Sequence, residues 1–80
     1  MKLKLIKGRF EKNDAVELLT QLIQVKIKFH ENKIQNSQHE EDIKMREQRI
    51  KQLQKDFDEA RQLILAGEKS FDLESEILIN

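Results

Sequence analysis

Eighty residues with no cysteine allow one small domain that buries only about 60–65% of the surface its unfolded chain exposes, and they exclude a disulfide framework or a thiolate zinc site. Fifteen Lys and Arg balance fifteen Asp and Glu, which removes the broad electrostatic attraction that draws a protein to nucleic acid or to an anionic membrane. No apolar run approaches the ~18 residues of a bilayer span, and lysines interrupt Met1–Lys7 before a signal-peptide core can form. The expected class is a single soluble, cytoplasmic domain over residues 1–80.

Charged and apolar residues alternate from Lys2 to Lys7, with Leu3 and Leu5 on one face and Lys2 and Lys4 on the other, which predicts a strand ended by Gly8. From Asp14 the period becomes helical. Asp14-Ala15-Val16-Glu17 fits a capping box, in which the Asp carboxylate accepts a backbone N–H that the first turn leaves unpaired. The first helix is predicted from Asp14 to about Ile34, closed by Asn36 in the left-handed conformation. Ser37-Gln38-His39-Glu40 reads as a second capping box, and Glu41 and Asp42 add acidic groups at the positive end of the second helix.

The second helix carries a heptad pattern of the coiled-coil kind, with Ile43, Ile50, Phe57 and Ile64 at one seam position and Arg46, Leu53 and Ala60 at the other. Folding the chain about Gln35–Gln38 sets Ala15 opposite Phe57, Leu19 opposite Leu53, Leu22 opposite Ile50 and Phe29 opposite Ile43. One layer of that register, Lys26 against Arg46, is cationic. Gly67 stops the helix. After it, Phe71, Leu73, Ser75, Ile77 and Ile79 alternate with Asp72, Glu74, Glu76 and Leu78, a second strand whose outer face is acidic where the first is basic. Opposite charges across neighbouring strands favour pairing of the two ends. The fold class is therefore α+β and predominantly α: a long antiparallel helical hairpin flanked by short terminal strands, β-α-α-β.

Apolar residues on the first helix cover a wider arc than one partner helix can bury, with Leu18, Val25 and Phe29 on one flank and Val16, Ile23, Ile27 and Ile34 on the other. A second surface must pack there, either the terminal sheet or a second copy. Leu18, Val25, Ile23 and Ile27, with Leu73 and Ile77 of the last strand, are the candidate interface residues.

Lys26, His30 and Arg46, with Lys33 nearby, are candidates for an anion site, since Arg offers a planar fork of donors to phosphate or carboxylate. The structural alternative is preferred: a polar layer that penalises register slips, its charges reaching the seam edge where Glu47 or Asp42 supplies oxygen. His30-Glu31 and His39-Glu40-Glu41 have a metal-like composition but lack the spacing of H-E-x-x-H. Lys44, Lys51 and Lys55 form a basic stripe suited to a phosphate backbone, yet Asp58 and Glu59 interrupt it and no Trp or Tyr is present to stack on bases. No catalytic constellation, cofactor or metal site emerges.

Lys26-Ile27-Lys28-Phe29-His30 late in the first helix and Glu74-Ser75-Glu76-Ile77-Leu78-Ile79 at the end give a chain that resembles small uncharacterised bacterial proteins of the same length with this strand, helical hairpin, strand layout. The resemblance implies the fold and carries no activity. The expected role is a protein-protein interaction module rather than an enzyme: a small adaptor, regulator or inhibitor acting through helix packing or strand addition. Its expected partners are a second copy of itself in a homodimer and an unidentified protein. A nucleic-acid-associated protein is the alternative, and a metal-dependent enzyme stands further off.

Overall fold

The computed structural model describes residues 1–80 in the predicted order: strand β1 (Lys2–Glu11), helix α1 (Lys12–Gln35), helix α2 (Glu40–Ala66) and strand β2 (Ser70–Leu78). The two strands pair antiparallel into a two-stranded sheet. No helix is long and apolar enough to cross a membrane.

β1 outruns its sequence signal. Gly8 lies inside the strand, paired with Leu73, and the ladder continues through Arg9↔Asp72 and Phe10↔Phe71 to Glu11↔Ser70. A bulge between Lys4 and Ile6 inserts Leu5 as an unpaired residue, which carries Ile6 onto the face already occupied by Leu3. Ile6 is consequently the buried residue of the strand, while Leu5 stays 49% exposed. One face of the ribbon carries the pairs Leu3↔Ile77, Ile6↔Ser75, Gly8↔Leu73 and Phe10↔Phe71; the other carries Lys4↔Glu76, Lys7↔Glu74 and Arg9↔Asp72. The basic-against-acidic pairing read from the sequence is thus the register itself. Arg9 and Asp72 approach to 3.3 Å, and Arg9 Nε donates to Ser70 Oγ at 2.9 Å.

The helix ends differ from their predicted caps. α1 begins at Lys12, directly after the strand, because the Lys12 N–H donates to the Lys69 carbonyl at 2.9 Å; this bond between the ends of β1 and β2 fixes the chain reversal. Asp14 then lies within the first turn, where its charge favours the helix dipole without capping. α2 begins one residue after His39, and Ser37 Oγ accepts the His39 N–H at 3.3 Å instead of capping the helix. Asn36 keeps a negative φ of −98°. Its side chain turns back to donate to the Asn32 carbonyl at 2.9 Å, so the turn closes through local side-chain bonds.

The hairpin register is one helical turn away from the predicted one. Arg46 Nη1 lies 3.1 Å from His30 Nδ1, and Lys12 Nζ donates to the Leu65 carbonyl at 3.0 Å. These two contacts, near opposite ends of an antiparallel pair, place Ile27 level with Ile50, Ile23 with Leu53, Leu19 with Phe57 and Val16 with Ala60. Lys26 and Phe29 are rotated out of the seam and exposed. Both registers put apolar residues against the α2 heptad. The observed one starts α1 earlier, centres the turn later and lays β-branched Val16, Ile23, Ile27 and Ile34 in the seam.

Only Ile6, Ala15 and Ile64 are buried, and all lie in or near the junction where sheet and hairpin meet. Both strands contact α1, with far less contact to α2. The molecule measures 46 × 32 × 13 Å with a radius of gyration of 15.0 Å, against about 12 Å for a compact chain of this length. The shape is thin and open.

Candidate functional site

Two features carry functional groups: the polar layer of the hairpin and the apolar flank of α1 with the adjoining sheet face.

In the polar layer, Arg46 is half-buried, its side chain 20% exposed, and Nε donates to Asp42 Oδ2 at 3.3 Å one turn earlier on α2. Its Nη1 reaches across to His30 Nδ1. A guanidinium has donors only, so Nδ1 accepts and the imidazole proton resides on Nε2. Desolvation lowers the His30 pKa below its usual 6.5, and the positive charges of Arg46, Lys26 and Arg49 lower it further. The His30 ring also meets Phe29 edge-on, with centroids 5.8 Å apart.

This arrangement occupies two of the five N–H donors of Arg46, one of them on a carboxylate that already balances its charge. Of the three residues proposed for an anion site, His30 and Arg46 come together, and Lys26 does not, being exposed one turn away from Arg46's partner. Asp42 neutralises Arg46, as the sequence suggested for that acid. The groups around the turn do not converge either: no three His, Asp or Glu side chains approach in a way that could hold a metal ion. The hollow beside the turn, lined by Lys33, Asn36, Ser37, Gln38, His39 and Asp42, is open and has no apolar wall. Lys44, Lys51 and Lys55 are exposed along α2, as are Asp58 and Glu59 that follow them.

The interface candidates divide. Ile23 and Ile27 are half-buried in the seam against α2, so they are core residues and not a free flank. Leu18 and Leu73 are half-buried near the junction, where Phe10 of the sheet and Leu18 of α1 line one shallow hollow with Asp14, Glu17 and Gln21. Val25 and Ile77 are free, at 69% and 42% exposure. The sequence sets Phe29 both opposite Ile43 in the seam and on the outer flank with Leu18 and Val25; it is 53% exposed on that flank, with Lys33 Nζ 5.6 Å from its ring centroid. The signal for its true position was the Leu18, Leu22, Val25, Phe29 repeat.

Comparison with known protein families, curated proteins and solved structures returns no match to this chain.

Proposed function

We propose that the protein is a protein-protein interaction module, a small adaptor, regulator or inhibitor that acts through its helical and sheet surfaces as a homo-oligomer. The observation that carries this reading is the apolar surface left uncovered on an 80-residue chain: Val25 and Phe29 on α1, and the paired Leu3 and Ile77 on one face of the sheet, are each at least 40% exposed. Contiguous exposed apolar surface on a small protein marks a contact site, whereas a small-molecule site is a concave and mostly apolar pocket. The hollows here are open, and charged or polar residues make up most of the lining of each.

Affinity capture from the native host, with the parent chain and a Val25→Asp/Phe29→Asp variant side by side, tests the reading. A defined protein retained by the parent and lost from the variant supports it. Turnover of a small molecule that scales with protein concentration and disappears in His30→Gln or His39→Gln would overturn it.

A further inference from the structure

We infer that a second copy of this chain docks face to face and reciprocally, the apolar sheet face of each copy covering the distal α1 stripe of the other, and that neither strand edge is used. This rests on the interaction-module reading above and specifies its self-association.

The first argument is area. A folded monomer of 9.6 kDa exposes about 5,100 Å² by the size scaling of globular proteins. This chain exposes 6748 Å², an excess of roughly 1,600 Å² that is twice the ~800 Å² each partner contributes to an interface of standard size. Within residues 1–80 the two strands are already paired with each other and α1 already spans the seam and the junction. A self-complementary partner covers both open arms at once.

The second argument is placement. The sheet covers α1 at the junction, where Ala15 is fully buried, and leaves Val25 and Phe29 free beyond it. On the other arm, Leu3 and Ile77 are cross-strand partners on the face that carries Phe10 and Phe71, and they are 40% and 42% exposed. Phe10 and Leu18 border the same hollow, so the two apolar stretches meet at the corner between the arms. Ile6 and the residues nearest the corner are already covered within the chain, so the parts left open are Leu3 with Ile77 at the far end of the sheet face and Val25 with Phe29 at the far end of the helix stripe.

Charge selects among the pairings. Lys26, Lys28 and Lys33 surround the distal stripe, while Asp72, Glu74 and Glu76 of β2 lie on the face opposite the apolar one, across from Arg9, Lys7 and Lys4. Stripe against stripe would oppose lysines. A two-fold edge pairing of β2 with β2 would oppose carboxylates, and β1 with β1 would oppose Lys4, Lys7 and Arg9; like charges directly across a ladder are destabilising. Helix stripe against the partner's apolar sheet face sets apolar on apolar and opposes no like charges.

The chain has no cysteine, so introduced thiols report alone. Light scattering of the parent at micromolar concentration should give twice the chain mass, and Val25→Asp/Phe29→Asp should halve it with the helical circular dichroism retained. Oxidising an equal mixture of Val25→Cys and Ile77→Cys chains should give far more covalent dimer than Val25→Cys alone. A monomeric parent, a Val25→Asp/Phe29→Asp variant that stays dimeric, or Val25→Cys chains that cross-link as well alone as in the mixture would each overturn the reciprocal docking. A parent dimer dissolved by Val25→Asp/Phe29→Asp that captures no other protein supports the docking and counts against the adaptor reading, so the two can fail separately.

Discussion

Lys12, the first residue of α1, places its ammonium 3.0 Å from the carbonyl oxygen of Leu65 in the last turn of α2. The last turn of α2 has no basic residue of its own. The cation that would ordinarily sit there, satisfying a free carbonyl and opposing the negative end of the dipole, is supplied by the neighbouring helix. One side chain thereby ties the start of one helix to the end of the next and pins the hairpin register at its open end.

Lys12→Met keeps the aliphatic stem and removes the charge. It should destabilise the fold by about 0.3–1 kcal/mol, the usual worth of a cation near a helix C-terminus, which for a chain of this size lowers Tm by roughly 1–8 °C. The parent should also lose this advantage in high salt. Thermal melts of the two proteins at low and high ionic strength check both points. A variant that melts with the parent at low salt would mean the contact contributes nothing to stability.

Ile64 and Leu63 are adjacent on α2 with opposite environments, 4% and 72% exposed. Ile64→Ala removes packed methyl groups in a very small core and should cost about 2–5 kcal/mol. Leu63→Ala should fall within about 0.5 kcal/mol of the parent, as exposed substitutions do. Urea titrations of both variants separate the two. Equal losses would contradict the seam that the Lys12 and His30 contacts define.

Much of the fold is legible in local chemistry. Alternation at the two ends, opposite charge on the two strands and the α2 heptad specify two strands and a hairpin because each is a periodicity that one side chain after another repeats. The register is not legible in the same way. Phe29 and Ile23 are both plausible seam residues, and sliding the helices by one turn exchanges two apolar sets of similar size. What decides is Lys12, whose bonds to Lys69 and Leu65 start α1 ahead of its capping signal and link residues far apart in sequence. The bulge at Leu5 escapes notice for a related reason, since a single inserted residue leaves the alternation on either side of it intact. In the candidate site, the pairing of His30 with Arg46 could not be read before the register was known, and Val25 was legible because its flank of α1 is apolar beyond what one helix can cover.

Gly67 illustrates a constraint that no period announces. A Cβ at this position would fall inside contact distance of the Phe71 ring and lie 3.3 Å from the Leu63 carbonyl oxygen. Glycine lets the ring close over the end of α2. Gly67→Ala should therefore displace Phe71 and destabilise by about 1–3 kcal/mol, the range of overpacked sites. Combining it with Phe71→Leu should recover part of that loss, since the smaller side chain leaves room. A double-mutant cycle measured by denaturant unfolding gives the coupling. Additive effects would show that the ring is not what the glycine accommodates.

His30 gives the fold a pH dependence with a definite sign. Its pKa in the folded protein is held below the ordinary 6.5, first by desolvation and then by the charges of Arg46, Lys26 and Arg49; Asp42 is bound to Arg46 on the far side of the guanidinium. Protonation of Nδ1 also removes the lone pair that accepts from Arg46 and sets two cations against each other. The unfolded chain therefore binds more protons than the folded one between the lowered pKa and 6.5. Stability rises with pH across that window, is fully present above the unfolded value, and is lost as pH falls toward the folded one. His30→Gln carries no titrating group and retains a carbonyl oxygen that can accept from Arg46. Unfolding midpoints measured from pH 7.5 to pH 5 should fall for the parent and fall less for His30→Gln, with the two curves converging in slope above the unfolded-state pKa of about 6.5. Parallel curves through the whole range would show that the folded and unfolded states hold the His30 proton equally, and would remove the His30–Arg46 pair as a source of acid sensitivity.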